Sequence, residues 1–167
     1  RHLEDNIFQL HHDLNTKTYR HEPYEPFHIW DPKHRLIHKA AVRDRVVHHL
    51  VFRELDMLYN ATFIHHTYSC RIGKGIHVAV NDVERALQKV SRNHHETVWA
   101  LKMDIQKFFD SVDHEVLLTL LRKRVTKSYG LWLLETIVRS YISTHGAGKG
   151  VPIGNLTSQI FSNIYLS

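Results

Sequence analysis

Residues 99–114, WALKMDIQKFFDSVDH, carry the side chains with the clearest chemical potential. Trp99, Leu101, Met103 and Ile105 alternate with polar positions, the period of a strand with one buried face. Asp104 falls on the polar alternate near the end of that strand. A carboxylate held there, with loops on either side, suits a divalent cation. The plainer alternative is an Asp at a strand edge with a structural partner. One carboxylate does not complete a two-metal centre. Ions about 3.5–4 Å apart need further carboxylates converging from elsewhere. Asp110 lies past the strand end, where it is expected to cap the next helix. No Asp-Asp pair occurs in the 167 residues.

Two other stretches carry chemistry. Residues 70–75, CRIGKG, form a Gly-flanked basic turn in which Arg71 and Lys74 suit a phosphate backbone. Residues 150–166, GVPIGNLTSQIFSNIYL, hold glycines that let backbone approach a ligand without an intervening Cβ. The 16 histidines occur partly in pairs, such as His48 and His49, without Cys spacing or a His-Glu-x-x-His pattern. They read as surface or hydrogen-bonded groups whose charge grows as pH falls through about 6.5.

The elements that must position these residues follow from periodicity. A first amphipathic helix is expected over 2–19, with Leu3, Ile7, Leu10 and Leu14 on one stripe. Pro23 and Pro26 end it and begin an extended segment, 24–30. Asp31, Pro32, Lys33 and His34 signal a turn, and 35–39 the return strand of a hairpin. A helix over 41–58 presents Val42, Val46, Val47, Leu50, Val51, Leu55 and Leu58. Residues 60–74 are irregular. A third helix, 76–90, is expected to turn Ile76, Val80, Val83, Leu87 and Val90 inward. The polar connector 91–97 separates a first subdomain, 1–97, from a second, 98–167. In the second, helices over 113–124, 131–142 and 160–166 follow the strand at 98–105, with a Gly-rich turn at 144–150. The fold class is α+β.

With 43% hydrophobic residues the chain can bury a core, and it contains no apolar run near the roughly 20 residues a bilayer span needs. The net charge of +5 favours polyanionic partners. One cysteine, Cys70, permits no internal disulfide, in keeping with a reducing cytoplasmic setting. The start, RHLEDNIFQL, lacks a signal-peptide layout and an initiator Met, so the residues are expected to derive from a longer protein or to follow a removed tag.

The run LKMDIQKFFDSVDHEVLLTLL resembles the first palm motif of reverse transcriptases related to group II introns, retrons and diversity-generating retroelements. Residues 150–166 resemble the second. RLIHKAAVRDRVVHHLVFREL and TYSCRIGKGIHVAV resemble blocks of the fingers. These matches cover about residues 24–166 in the family's order.

The resemblance implies helical fingers with a short β-hairpin and a palm with an antiparallel sheet. Asp104 and the Ile105 carbonyl would bind Mg²⁺, with Asp104 catalytic. Phe109 would lie under the sugar of the incoming nucleotide, while Phe108 is expected in the core. Arg35 would contact the triphosphate, and Ile153, Gly154 and Gln159 would meet the nucleotide. Arg43, Arg45, Arg71 and Lys74 would face nucleic acid. Arg43 and Arg45 have a structural alternative, in which one pairs with Asp44 or Glu54.

Ile153 and Gln159 depart from the common Gln and Pro and match diversity-generating retroelement enzymes, whose implied partners are template RNA, a cDNA primer, dNTPs and a small basic accessory protein. A retron or group II intron enzyme and a non-catalytic RNA-binding domain are the alternatives. The family's aromatic-x-Asp-Asp motif is not among these residues, so they are expected not to polymerise on their own.

Overall fold

A computed structural model describes residues 2–31, 33–143 and 146–167. It is α+β, as expected. Helix α1 spans Leu3–Asn15 and ends where Thr16 donates its N–H to His12 O and Lys17 turns left-handed. Leu10 is buried, but Leu3 and Ile7 of the expected stripe are exposed. Strands β1 (Glu25–Ile29) and β2 (Arg35–Lys39) form the antiparallel hairpin, with Phe27 opposite Ile37. Pro32 of the turn signal lies outside the described residues, as do Thr144 and His145 of the Gly-rich turn.

Helix α2 (Val42–Tyr59) buries Val47, Val51, Leu55 and Tyr59, one residue per turn, and leaves Val42, Val46, Leu50 and Leu58 exposed. It lies against the C-terminal helix α7 (Leu156–Tyr165), which buries Ile160, Phe161 and Ile164. Helix α5 (His114–Arg122) adds Leu117, Leu118 and Leu121, and α6 (Ser128–Arg139) adds Leu133, Leu134, Ile137 and Val138. These residues form a cluster with Leu10, Tyr19, Phe63, Val112 and Val151. Burial at roughly 1.5–3 kcal/mol per large side chain makes this cluster the main source of stability. Among the described residues no helix is long and apolar enough to cross a membrane.

Three expectations are corrected. Helix α3 (Ile76–Val90) has the expected bounds, but its apolar stripe does not face inward: Ile76 is 74% exposed, and Val80, Val83 and Val90 are exposed too. No described element covers it. Residues 98–105 form no strand, and Trp99 and Leu101 are 94% and 81% exposed. A strand needs a neighbour for its N–H and C=O groups, and no described segment pairs with this one. Asp110 does not cap the helix. It lies within a short turn, α4 (Phe108–Ser111), started by left-handed Lys107. Asp113 has the extended backbone a cap requires, and its carboxylate accepts from the Glu115 and Val116 N–H groups at 2.9 and 3.1 Å.

Candidate functional site

The site is built around residues 148–155. On one side this segment is bonded to the Asp104-containing motif. Val151 N donates to Phe109 O at 2.8 Å, Gly150 N to Val112 O at 2.7 Å, and His114 N to Gly148 O at 3.0 Å. The buried His114 ring bonds Gly150 O at 2.7 Å. Gly150 is required by crowding: a Cβ there would meet Ser143 Cβ at 2.7 Å, at a backbone φ of +91°.

On its other side the segment holds the hairpin. His38 N donates to Ile153 O at 3.0 Å, and the Asn155 amide donates to His38 O at 2.7 Å. His38 pairs in register with Pro26, which has no N–H to offer, so His38 turns its own polar groups outward to the 153–155 turn. Gly154, at φ +103°, lies directly against Ile37, whose Cγ2 would be 2.5 Å from an added Cβ. Ser158 Oγ, fully buried, donates to Pro152 O at 2.6 Å and closes the turn from within α7.

This arrangement brings several expected residues together. Arg35, two residues before Ile37, shares the β2 face that meets Gly154, and its side chain is exposed. Phe109 is half-buried, in edge contact with Phe108 at 5.6 Å between ring centres. Both rings lie against the core, as expected for Phe108. A cavity of about 340 Å³ is lined by Arg45, His48, His49, Gly154, Asn155, Leu156 and Gln159. Ser69 Oγ donates to Gln159 Oε1 at 3.0 Å, and the Asn163 amide to Ser69 O at 2.9 Å, so the irregular 60–74 segment is tied to α7.

Asp104 stands apart, exposed within 98–105, and no described hydrogen bond or ion pair ties it to this cluster. Its carboxylate and the Ile105 carbonyl are hard oxygen donors of the kind Mg²⁺ takes. Among the described residues no group of three or more His, Cys, Asp or Glu gathers to hold a metal. These two groups therefore fit part of a Mg²⁺ shell and leave the rest to other ligands.

The basic residues divide. Arg43 pairs with Asp13, in place of the expected Asp44 or Glu54. It also donates to Arg20 O and lies over the Tyr19 ring. Arg71 is turned into its own loop: it donates to Asn60 Oδ1 at 2.7 Å, Asn60 O at 3.0 Å, and Ile64 O and Thr67 O at 3.2 Å each. Lys74 reaches His65 O and the Tyr68 ring. Arg45 is exposed on the cavity wall. Of the four, it has the disposition that best suits a phosphate.

Sequence reasoning missed the residues that hold the turn in place: Asn155, Ile37, His114 and a buried network behind the cavity. Asp44, fully buried, accepts from Tyr19 OH at 2.7 Å and Glu22 N at 3.0 Å. His21 Nδ1 bonds Glu22 O at 2.6 Å, His21 Nε2 meets His48 Nε2 at 2.9 Å, and His48 Nδ1 meets Thr157 Oγ1 at 2.8 Å. The carbonyl can only accept, so the neutral chain has one direction: Thr157 donates to His48, His48 to His21, and His21 to Glu22 O. Burial, then the neighbouring His21, pushes His48 down to about 4, with Asp44 opposing. The histidine pairs in the sequence were the one signal that could have pointed here.

The chain is 28% identical over 131 residues to "Protein YkfC" of Escherichia coli (strain K12), covering 76% of this chain and 34% of that protein. It is 25% identical over 167 residues to "Putative COX1/OXI3 intron 2 protein" of Saccharomyces cerevisiae, covering 95% and 18%. It is 22% identical over 170 residues to "Group II intron-encoded protein LtrA" of Lactococcus lactis subsp. cremoris, covering 98% and 27%. The chain thus spans about a fifth to a third of these relatives. The family model described as reverse transcriptase (RNA-dependent DNA polymerase) matches residues 30–167, and the chain belongs to that family.

Proposed function

We propose that this chain supplies the fingers (1–97) and the first part of the palm (98–167) of an RNA-directed DNA polymerase. The observation that carries this reading is the pair of hydrogen bonds between His38 and the 153–155 turn, which sets Arg35 and Ile37 on the face that meets Gly154. Phe109 is bonded through its backbone to the same segment.

Asp104 and the Ile105 carbonyl would supply oxygens to Mg²⁺, which when bound activates the attacking 3′-oxygen and stabilises the leaving pyrophosphate. Arg35 takes phosphate oxygens of the nucleotide. Arg45 faces the cavity beside Gly154 and Gln159 and attracts the nucleic-acid backbone. The Phe109 ring excludes a 2′-hydroxyl. Template RNA, a DNA primer and dNTPs are the substrates.

The test is primer extension on an RNA template with Mg²⁺ by the full-length protein. Asp104→Asn is expected to lower the rate at least about a hundredfold, since it removes a metal ligand. Undiminished extension overturns the assignment. Phe109→Val is expected to admit ribonucleotides. The 167 residues hold no Asp-Asp pair, so they alone are expected to extend no primer. RNA binding by the full-length protein without any extension would favour a non-catalytic RNA-binding domain.

Within the family, Ile153 and Gln159 favour a diversity-generating retroelement enzyme, with a small basic accessory protein as partner. A group II intron enzyme is the second reading, favoured by the intron-encoded names of the relatives. The retroelement resemblance implies copying with errors at template adenine, linked to the missing Gln, so Ile153→Gln distinguishes them: lower misincorporation opposite template adenine supports the retroelement, and an unchanged error rate the intron enzyme.

A further inference from the structure

Three aromatic rings at the tip of the hairpin take no part in the core or in the site just described. The His28 and His34 rings stack at 4.8 Å with planes 12° apart, and their Nδ1 and Nε2 atoms meet at 2.6 Å. Trp30 lies 4.3 Å from His34 and 6.5 Å from His28, tilted 31° to each. The two imidazoles are close to parallel and Trp30 leans over His34 at 31°, so the group forms an inclined aromatic shelf rather than one flat plane. It is exposed, Trp30 at 74%. A tryptophan left in water forgoes about 2 kcal/mol of burial or more, which an intramolecular stack recovers only in part.

The pairing register separates this shelf from the nucleotide cavity. His28 alternates with Ile29 and shares its face with Leu36 and His38. Arg35 and Ile37, which meets Gly154, point to the other face. Whatever rests on the shelf lies across the hairpin from the cavity.

We propose that Trp30, with His28 and His34, is a stacking shelf for an unpaired base of single-stranded RNA. Three rings offer far less area than the roughly 800 Å² per partner of a stable protein interface, but they match the face of one or two bases. Lys33 sits at the tip beside one acid, Asp31, and the chain carries +5 overall, so a polyanionic strand is the complementary occupant. Duplex RNA keeps its base faces inside its own stack and cannot use such a shelf. The proposal rests on the reading of the chain as an RNA-copying protein and adds where a strand not yet paired is held.

The test is binding of a fluorescein-labelled twelve-nucleotide oligo(rA) to the full-length protein by anisotropy. Stacking contributes about 1–3 kcal/mol per base, so Trp30→Ala is expected to weaken binding about five- to a hundredfold, and Trp30→Phe much less. Trp99→Ala is the control, since Trp99 is also open to solvent, at 94%, but has no ring neighbour among the described residues. Circular dichroism of each variant guards against a folding defect. Equal affinity of wild type and Trp30→Ala overturns the shelf, as does an equal loss on a twelve-base-pair RNA duplex. Self-association that depends on Trp30 with RNA binding untouched overturns it in favour of a second copy. Failure of the wild type to bind any RNA overturns the underlying reading instead.

Discussion

Asn155 grips the hairpin through the carbonyl of His38, at 2.7 Å, while the N–H of His38 donates to Ile153 O. Both polar groups of one strand residue are thereby spent on a turn more than a hundred residues away. Asn155 is buried, so its loss leaves an acceptor without a partner. Asn155→Ala is expected to cost about 1–3 kcal/mol in urea unfolding and to speed amide exchange at His38. Asn155→Asp should behave alike, because a carboxylate cannot donate. Exchange at His38 unchanged in both variants would show that the hairpin is held by other means.

Gly154 makes the same junction tight. Alanine there would sit at φ +103° with its Cβ in contact with Ile37. Gly154→Ala is expected to cost about 1–3 kcal/mol in thermal unfolding from backbone strain, plus the clash. Adding Ile37→Ala should recover the clash and leave the strain. A double-mutant cycle with no coupling between the two positions contradicts the contact.

Arg71 is predicted to act on its loop rather than on RNA. Its guanidinium bonds three carbonyls and the Asn60 side chain. Arg71→Ala is expected to cost about 2 kcal/mol and to open residues 60–75 to proteolysis, and Arg71→Lys should not rescue it, because an ammonium lacks the planar fork. Arg45→Ala should leave stability unchanged and reduce the salt dependence of RNA binding by about one phosphate contact. The reverse outcome for the pair would reassign their roles.

His48 makes stability depend on pH. Its folded pKa, about 4, lies below the ordinary histidine value near 6.5. Above about pH 6.5 both folded and unfolded states leave it neutral. As pH falls from there towards 4, only the unfolded state gains the proton, so stability is lost across that window. The loss from this residue reaches about 3 kcal/mol at most. The groups around it are Asp44, which resists the shift, and His21 and His49, which add to it. His48→Gln should flatten the pH dependence of the urea midpoint between 6.5 and 4 relative to wild type. Parallel curves for the two proteins would exclude His48 as the group responsible.

Local signals were legible in the sequence wherever periodicity or stereochemistry acts over a few residues. Helix α3 kept its bounds because Gly75 precedes it and its apolar spacing is regular. The hairpin followed from Pro26 and the turn residues, and Phe108 went to the core by type. The family motifs placed Phe109 and Gly154 in adjoining segments before any fold was known. Which faces find a partner was not legible. The stripe of α3 and the alternation at 98–105 describe amphipathic surfaces, but burial depends on another segment being there to cover them. The capping role passed from Asp110 to Asp113 because only one of them has an extended backbone at the helix start.

By itself the sequence determined the main helices, the hairpin, the basic charge, and the motifs that assign the chain to its family. Those properties reside in single residues and their near neighbours. Tertiary structure decided that Arg71 and Arg43 serve the fold while Arg45 faces the cavity. It joined Asn155 to His38, and it oriented a chain of hydrogen bonds from Thr157 through His48 to His21. Each of these depends on which distant donor lies within about 3 Å of which acceptor, a relation that exists only once the backbone has closed on itself.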